Sequence, residues 1–93
     1  MSVTVLIPSY LLSFTGGRRE VELTNPASTV AEALAELWSQ YPALRDRVLT
    51  EQGEVRRHVN VFVGDENIRD SGGLATPVSD GCAMTIVPNV AGG

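Results

Sequence analysis

A chain of 93 residues, 43% apolar and 19% charged, has material for one small hydrophobic core and no room for a cleft between two lobes. Its formal net charge of −4 disfavours nucleic acid, whose phosphates need a concentrated basic surface that Arg56 and Arg57 do not supply. No apolar run is long enough to span a bilayer, the N-terminus lacks the features of a signal peptide, and the single Cys82 excludes an internal disulfide, so the expected setting is the cytoplasm, away from membranes.

Val3, Val5 and Ile7 alternate with Thr4 and Leu6, the period-2 pattern of a strand with one buried face, and Pro8 ends it. After an apolar loop over Tyr10–Phe14, the Gly16-Gly17 pair supplies a turn, and Val21 and Leu23 alternate with Glu20 and Glu22. Residues 2–24 therefore read as a hairpin. Thr29 and Glu32 then form a capping box, in which the threonine hydroxyl accepts from an otherwise unpartnered amide and the glutamate reaches back to the cap. Val30, Ala33, Leu34, Leu37, Trp38 and Tyr41 follow at helical spacing, which predicts a helix over 30–41 with one stripe on the sheet. Pro42 stops it, and Leu44, Val48 and Leu49 suggest a short continuation.

Val59, Val61 and Val63 predict a third strand, ended by the turn Gly64-Asp65-Glu66-Asn67, with a very short strand around Ile68. Glycines and Pro77 mark a winding connection, Asp80-Gly81 another turn, and Met84–Val87 the last strand. This order predicts an α+β fold of the β-grasp kind, a mixed four- to five-stranded sheet with one main helix on one face. The first and last strands would lie parallel in the centre, with the helix inside the crossover. The domain occupies 1–88, and 89–93 reads as a flexible Gly-Gly tail.

No catalytic constellation is visible. His58 is isolated, Cys82 has no second cysteine or histidine partner, and the several spaced ligands of a metal site are absent, so no metal and no bound cofactor are expected. All seven basic residues are arginines, so the chain offers no lysine to accept an isopeptide bond. The tail is chemically different. Five residues follow Pro88 and reach roughly 17 Å when extended. The terminal carboxylate is anionic at neutral pH and unreactive until an activator such as ATP converts it to a mixed anhydride. Two terminal glycines carry no Cβ, so Val90, Ala91, Gly92 and Gly93 fit a narrow partner channel that brings the Gly93 carbonyl to a nucleotide.

The segment Arg69-Asp70-Ser71-Gly72-Gly73-Leu74-Ala75-Thr76, then Val78-Ser79-Asp80-Gly81, then Thr85 through Gly93 resembles the ubiquitin-like sulfur carriers, the MoaD/ThiS family. Val3–Pro8, Thr15-Gly16-Gly17 and Val59–Val63 extend the resemblance over nearly the whole chain and point to the branch serving thiocarboxylate-dependent cysteine biosynthesis. The chain departs from many relatives at Cys82, where they carry a polar or acidic residue. The resemblance implies a protein cosubstrate, not an enzyme. An activating adenylyltransferase/sulfurtransferase related to ubiquitin-activating enzymes uses ATP to adenylate Gly93, and sulfur then replaces one oxygen to give a thiocarboxylate. A cysteine synthase with pyridoxal phosphate accepts the sulfur, and a metal-dependent peptidase releases cysteine. Two alternatives share the same activation: the small subunit of molybdopterin synthase, whose tail inserts into a large subunit, and a protein modifier conjugated through Gly93. If the helix covers Val5, Ile7, Val61, Val63, Met84 and Ile86, then Leu6, Phe62 and Val87 form an apolar docking patch on the opposite face.

Overall fold

Valine and isoleucine at every second position of three segments produce the sheet on which the fold is built. The computed structural model describes residues 2–24 and 28–88. Its strands are β1 (Val3–Leu6), β2 (Glu20–Leu23), β3 (Val59–Val63), β4 (Glu66–Asn67) and β5 (Ala83–Pro88), and its helices α1 (Val30–Gln40) and α2 (Pro42–Val48). They form one five-stranded sheet in the order β2-β1-β5-β3-β4. β1 pairs antiparallel with β2 and parallel with β5, Val5 lying opposite Met84, while β3 runs antiparallel to β5 with Val61 opposite Ile86. The predicted hairpin, the central parallel pair and the β-grasp arrangement are all present.

The inward set Val3, Val5, Val21, Leu23, Val59, Val61, Met84 and Ile86 is buried and shares one core with Val30, Ala33, Leu34 and Leu37 of α1 and Leu44 and Val48 of α2. Trp38, Tyr41 and Val63 are half-buried and pack against its margin. At the start of α1 both halves of the capping box form: Glu32 N donates to Thr29 Oγ1 (3.2 Å) and Thr29 N to Glu32 Oε1 (3.1 Å). Val30 N donates to Thr76 O (2.9 Å) and Val78 N to Ser28 O (3.0 Å), which fastens the winding connection to the same helix end.

Two local expectations need correction, and a third is extended. The apolar loop is a 3-10 helix over Ser9–Phe14 that buries Leu11. Pro42 does stop α1, yet it also opens α2, where its missing N–H is no loss in the first turn. The very short strand is Glu66–Asn67, ahead of Ile68; Ile68 itself begins a 3-10 turn and is buried from there. Among the described residues no helix is long and apolar enough to cross a membrane.

Two tests follow from this packing. Hydrogen bonds, first from the Ser28 hydroxyl and amide and then from Thr29, hold the Glu32 carboxyl below the ordinary glutamate range. A carboxyl that is harder to protonate folded than unfolded stabilises fully above its unfolded value, and loses that contribution as pH falls through the folded one. The stability gap between the wild-type chain and Glu32→Ala is therefore open at pH 7 and narrows in acid, as thermal melts at both pH values will read. Thr29→Ala costs about 1 kcal/mol, or roughly 4–8 °C in midpoint for a domain of this size. Neighbours on β3 give the second test: Val61→Asp places an unpaired charge in the core and abolishes folding, whereas Phe62→Asp, on the outer face, costs at most about 1 kcal/mol.

Candidate functional site

The last described residue, Pro88, lies opposite Val59, so the chain leaves the sheet from its middle strand with β1 on one side and β3 on the other. Alternation along these strands decides what surrounds the exit. Met84 and Ile86 point into the core, and Ala83, Thr85 and Val87 therefore face outward. Leu6 and Phe62 both stand opposite Thr85, one on each neighbouring strand, and Val87 lies two residues further along β5 towards the exit. All three apolar residues are half-buried, on the sheet face away from the helices. The row through Thr85 continues to Glu20 on β2 and Asn67 on β4, so the apolar positions are bordered by polar ones. The structure thus brings Leu6, Phe62 and Val87 to one face; Val90, Ala91, Gly92 and Gly93 lie outside the described residues.

Polar contacts fix both ends of β5. At its start, Ser2 N donates to Asp80 Oδ1 (2.7 Å) and Gly81 N donates to Ser2 O (2.7 Å), which ties the beginning of β1 to the beginning of β5. Gly81 adopts φ +82°, a region in which a side chain is strained, so the Asp-Gly pair suits this turn chemically. At the exit end, Arg69 holds the start of β3: its Nη2 donates to Val59 O (2.7 Å) and Arg56 O (2.9 Å), and its Nε to Asn60 Oδ1 (3.2 Å). Asn60 Oδ1 also accepts from Asn67 Nδ2 (3.3 Å). Arg69 therefore fixes the segment that pairs with Pro88. Sequence reading treats Arg69 only as part of a motif, because its carbonyl partners are 10 and 13 residues away. The available signal is Asn60, a polar residue inside an otherwise apolar strand.

His58 is exposed just before β3, and the half-buried Cys82 packs against the core margin while its backbone spans Ser79 O and Thr4 N (both 3.1 Å). Among the described residues, no group of three or more His, Cys, Asp or Glu is placed to hold a metal ion. The arrangement among the described residues is a sheet braced at both ends of β5, with Leu6, Phe62 and Val87 together on its outward face.

The sequence profile of the ThiS family matches residues 5–93. The chain is 40% identical over 95 aligned residues to "Sulfur carrier protein CysO" of Mycobacterium tuberculosis, covering 100% of both chains. Its fold superposes on CysO of Amycolatopsis orientalis, solved as a BexX/CysO complex, with a TM-score of 0.86, 41% identity and coverage of 98% of this chain and 99% of the other. It is also 39% identical over 66 residues, 71% of each chain, to "Small archaeal modifier protein 3" of Haloferax volcanii. With the profile matched through the final glycine and the β-grasp sheet in place, the chain belongs to the ThiS family of ubiquitin-like proteins.

Proposed function

We propose that this protein is a sulfur carrier whose Gly93 carboxylate is adenylated, converted to a thiocarboxylate and used as a sulfur donor in cysteine biosynthesis. The observation that carries the reading is the full-length similarity to proteins named as sulfur carriers, running through the Gly92-Gly93 end. In the first step a carboxylate oxygen of Gly93 attacks the α-phosphorus of ATP held by an activating enzyme, and pyrophosphate leaves. Hydrosulfide supplied by a donor at that enzyme then attacks the acyl carbon, AMP leaves, a proton is released to solvent, and one carboxylate oxygen has been exchanged for sulfur. The carrier's own part is to present the tail. Residues 1–88 act as the mount, 89–93 as the extended end, Val90, Ala91 and Gly92 as the stretch threaded into the partner, and Leu6, Phe62 and Val87 as the surface on which the partner docks.

On this reading the carrier binds no cofactor or metal of its own and is a cosubstrate in the cytoplasm. Pyridoxal phosphate belongs to the cysteine synthase that takes the sulfur, and the metal to the peptidase that releases cysteine. That the similar chain from Amycolatopsis orientalis was solved with another protein bound supports a carrier that works inside complexes. Similarity to a small archaeal modifier favours one second reading, conjugation of Gly93 to lysines of other proteins. A subunit of molybdopterin synthase has no comparable support.

Incubation with ATP, a sulfur donor and the cognate activating enzyme is expected to raise the intact mass by the difference between sulfur and oxygen. Deletion of Gly93 abolishes the gain, and Cys82→Ser retains it. A gain equal to one whole added sulfur atom that disappears in Cys82→Ser would place the sulfur on the thiol and refute the thiocarboxylate. Covalent conjugates to lysine residues without any free thiocarboxylate would favour the modifier. Phe62→Asp, folded as described above, is expected to weaken binding to the activating enzyme about tenfold, as an apolar anchor at an interface does.

A further inference from the structure

Because β1 and β5 are parallel and β3 is antiparallel to β5, the end of β1, the end of β5 and the start of β3 share one edge of the sheet. The 3-10 helix after β1 and residues 56–58 before β3 therefore lie at the edge from which the tail departs. Between them and α2 runs an open groove of about 430 Å³. Its apolar walls are Tyr10, Leu11 and Phe14, and its polar side is formed by Arg47, Arg56 and His58, the two arginines supplying the positive charge. Tyr10 is the most exposed large apolar side chain described, at 45%, and partial burial pushes its phenol up, so it stays a neutral hydrogen-bond donor. The Arg47 guanidinium sits 4.9 Å from the centroid of the Phe14 ring. Arg56 Nε donates to Asp46 O (2.7 Å), which holds the side chain while its two terminal nitrogens have no acceptor among the described residues. Asp46 also lines the groove, but its carboxylate accepts from Arg45 (3.4 Å).

The charge here opposes that of the molecule. The chain carries −4 overall, yet residues 45–58 hold four of its seven arginines against Asp46, Glu51 and Glu54, which leaves this stretch with one net positive charge. Guanidinium groups with free terminal nitrogens match carboxylates in fork geometry, and exposed tyrosine beside arginine is the composition of protein-binding hot spots. An enclosed site would suit a small free anion, whereas this groove is open and flanks the exit, where any protein that receives the tail must lie.

We infer that the Tyr10–Phe14–Arg47–Arg56–His58 groove binds a carboxylate-bearing acidic segment of the activating enzyme that receives the tail, and so steers the carrier tail-first onto it. This rests on the carrier reading and adds a second contact surface, on the edge of the sheet and distinct from the Leu6, Phe62 and Val87 face.

The test is ATP–pyrophosphate exchange by the cognate activating enzyme, with this protein as the varied substrate. Arg47→Glu and Arg56→Glu each raise KM about tenfold with kcat within about twofold, because a charge at the docking edge acts on encounter and not on the acyl step. Added NaCl raises the wild-type KM and leaves that of the double variant nearly flat. Thermal melts accompany the kinetics; Arg47, with no hydrogen bond to another element among those described, serves if Arg56→Glu unfolds. Variant KM values equal to wild type at low salt overturn the inference while the carrier reading stands. No exchange by the wild-type chain overturns the carrier reading itself. Amide shifts at residues 45–58 with millimolar inorganic phosphate, combined with unchanged variant KM, would make the groove a small-anion site and also overturn the inference.

Discussion

The parallel pairing of β1 with β5 brings opposite ends of the described chain together at the centre of the sheet. Such a pair cannot be closed by a tight turn, so everything between the two strands serves as its crossover. α1 lies inside that crossover and covers the apolar face, and its first turn is joined by hydrogen bonds to Thr76 and Val78 on the way back to β5, Val30 N donating to Thr76 O and Val78 N to Ser28 O. Asp80, Gly81 and Ser2 then align the two strand starts. The consequence is mechanical. A tail that leaves from a strand paired on both sides departs from one of the least easily opened elements of the domain, because opening it costs two ladders of hydrogen bonds and the burial of Met84 and Ile86.

Much of this is readable in the residues because the physics is local. Alternating valines specify β1 and β3, Met84 and Ile86 alternate in β5, and the Thr29–Glu32 box with apolar residues at helical spacing specifies α1. The failures occur where the determining contact is distant or the element is too short to show a period. Two residues of β4 carry no periodicity, and Ile68 is a β-former that is buried from a 3-10 turn instead. Tyr10–Phe14 reads as a loop, since the signal for a single 3-10 segment is no more than one buried Leu11 among exposed neighbours. Candidate site residues divide the same way. The outward phase of Leu6, Phe62 and Val87 follows from alternation, whereas the Arg69 anchor and the Arg47–Arg56 groove depend on residues from separate segments meeting at one edge.

On the proposed reading, a division of labour between mount and tail puts the reacting group on Gly93 and not on a side chain of the folded domain. A carboxylate is a poor electrophile, and activation requires an adenylate transfer that a single-core domain has no cleft to perform. On the proposed reading the chemistry is supplied entirely by partners, so the carrier is selected for being recognised and released. A carrier that hands its cargo from one enzyme to the next is best served by several modest contacts, because very tight binding would slow its departure.

Two surfaces on either side of one exit meet that requirement. On the proposed reading, Leu6, Phe62 and Val87 offer apolar area that desolvates without long-range direction, while the guanidinium groups of Arg47 and Arg56 act over a Debye length, about 8 Å at physiological salt, and select orientation. The apolar face alone would not distinguish the tail end from the opposite end of the sheet, where Asp80 lies beside Ser2. Glu20 and Glu22 on β2 border that same outward face, so an acidic segment of a partner is repelled from its β2 side and drawn towards the groove at the exit. An asymmetric charge distribution of this kind contributes specificity through encounter and leaves the affinity modest. On the proposed reading, the tail then enters its partner because the domain has already been turned to face it.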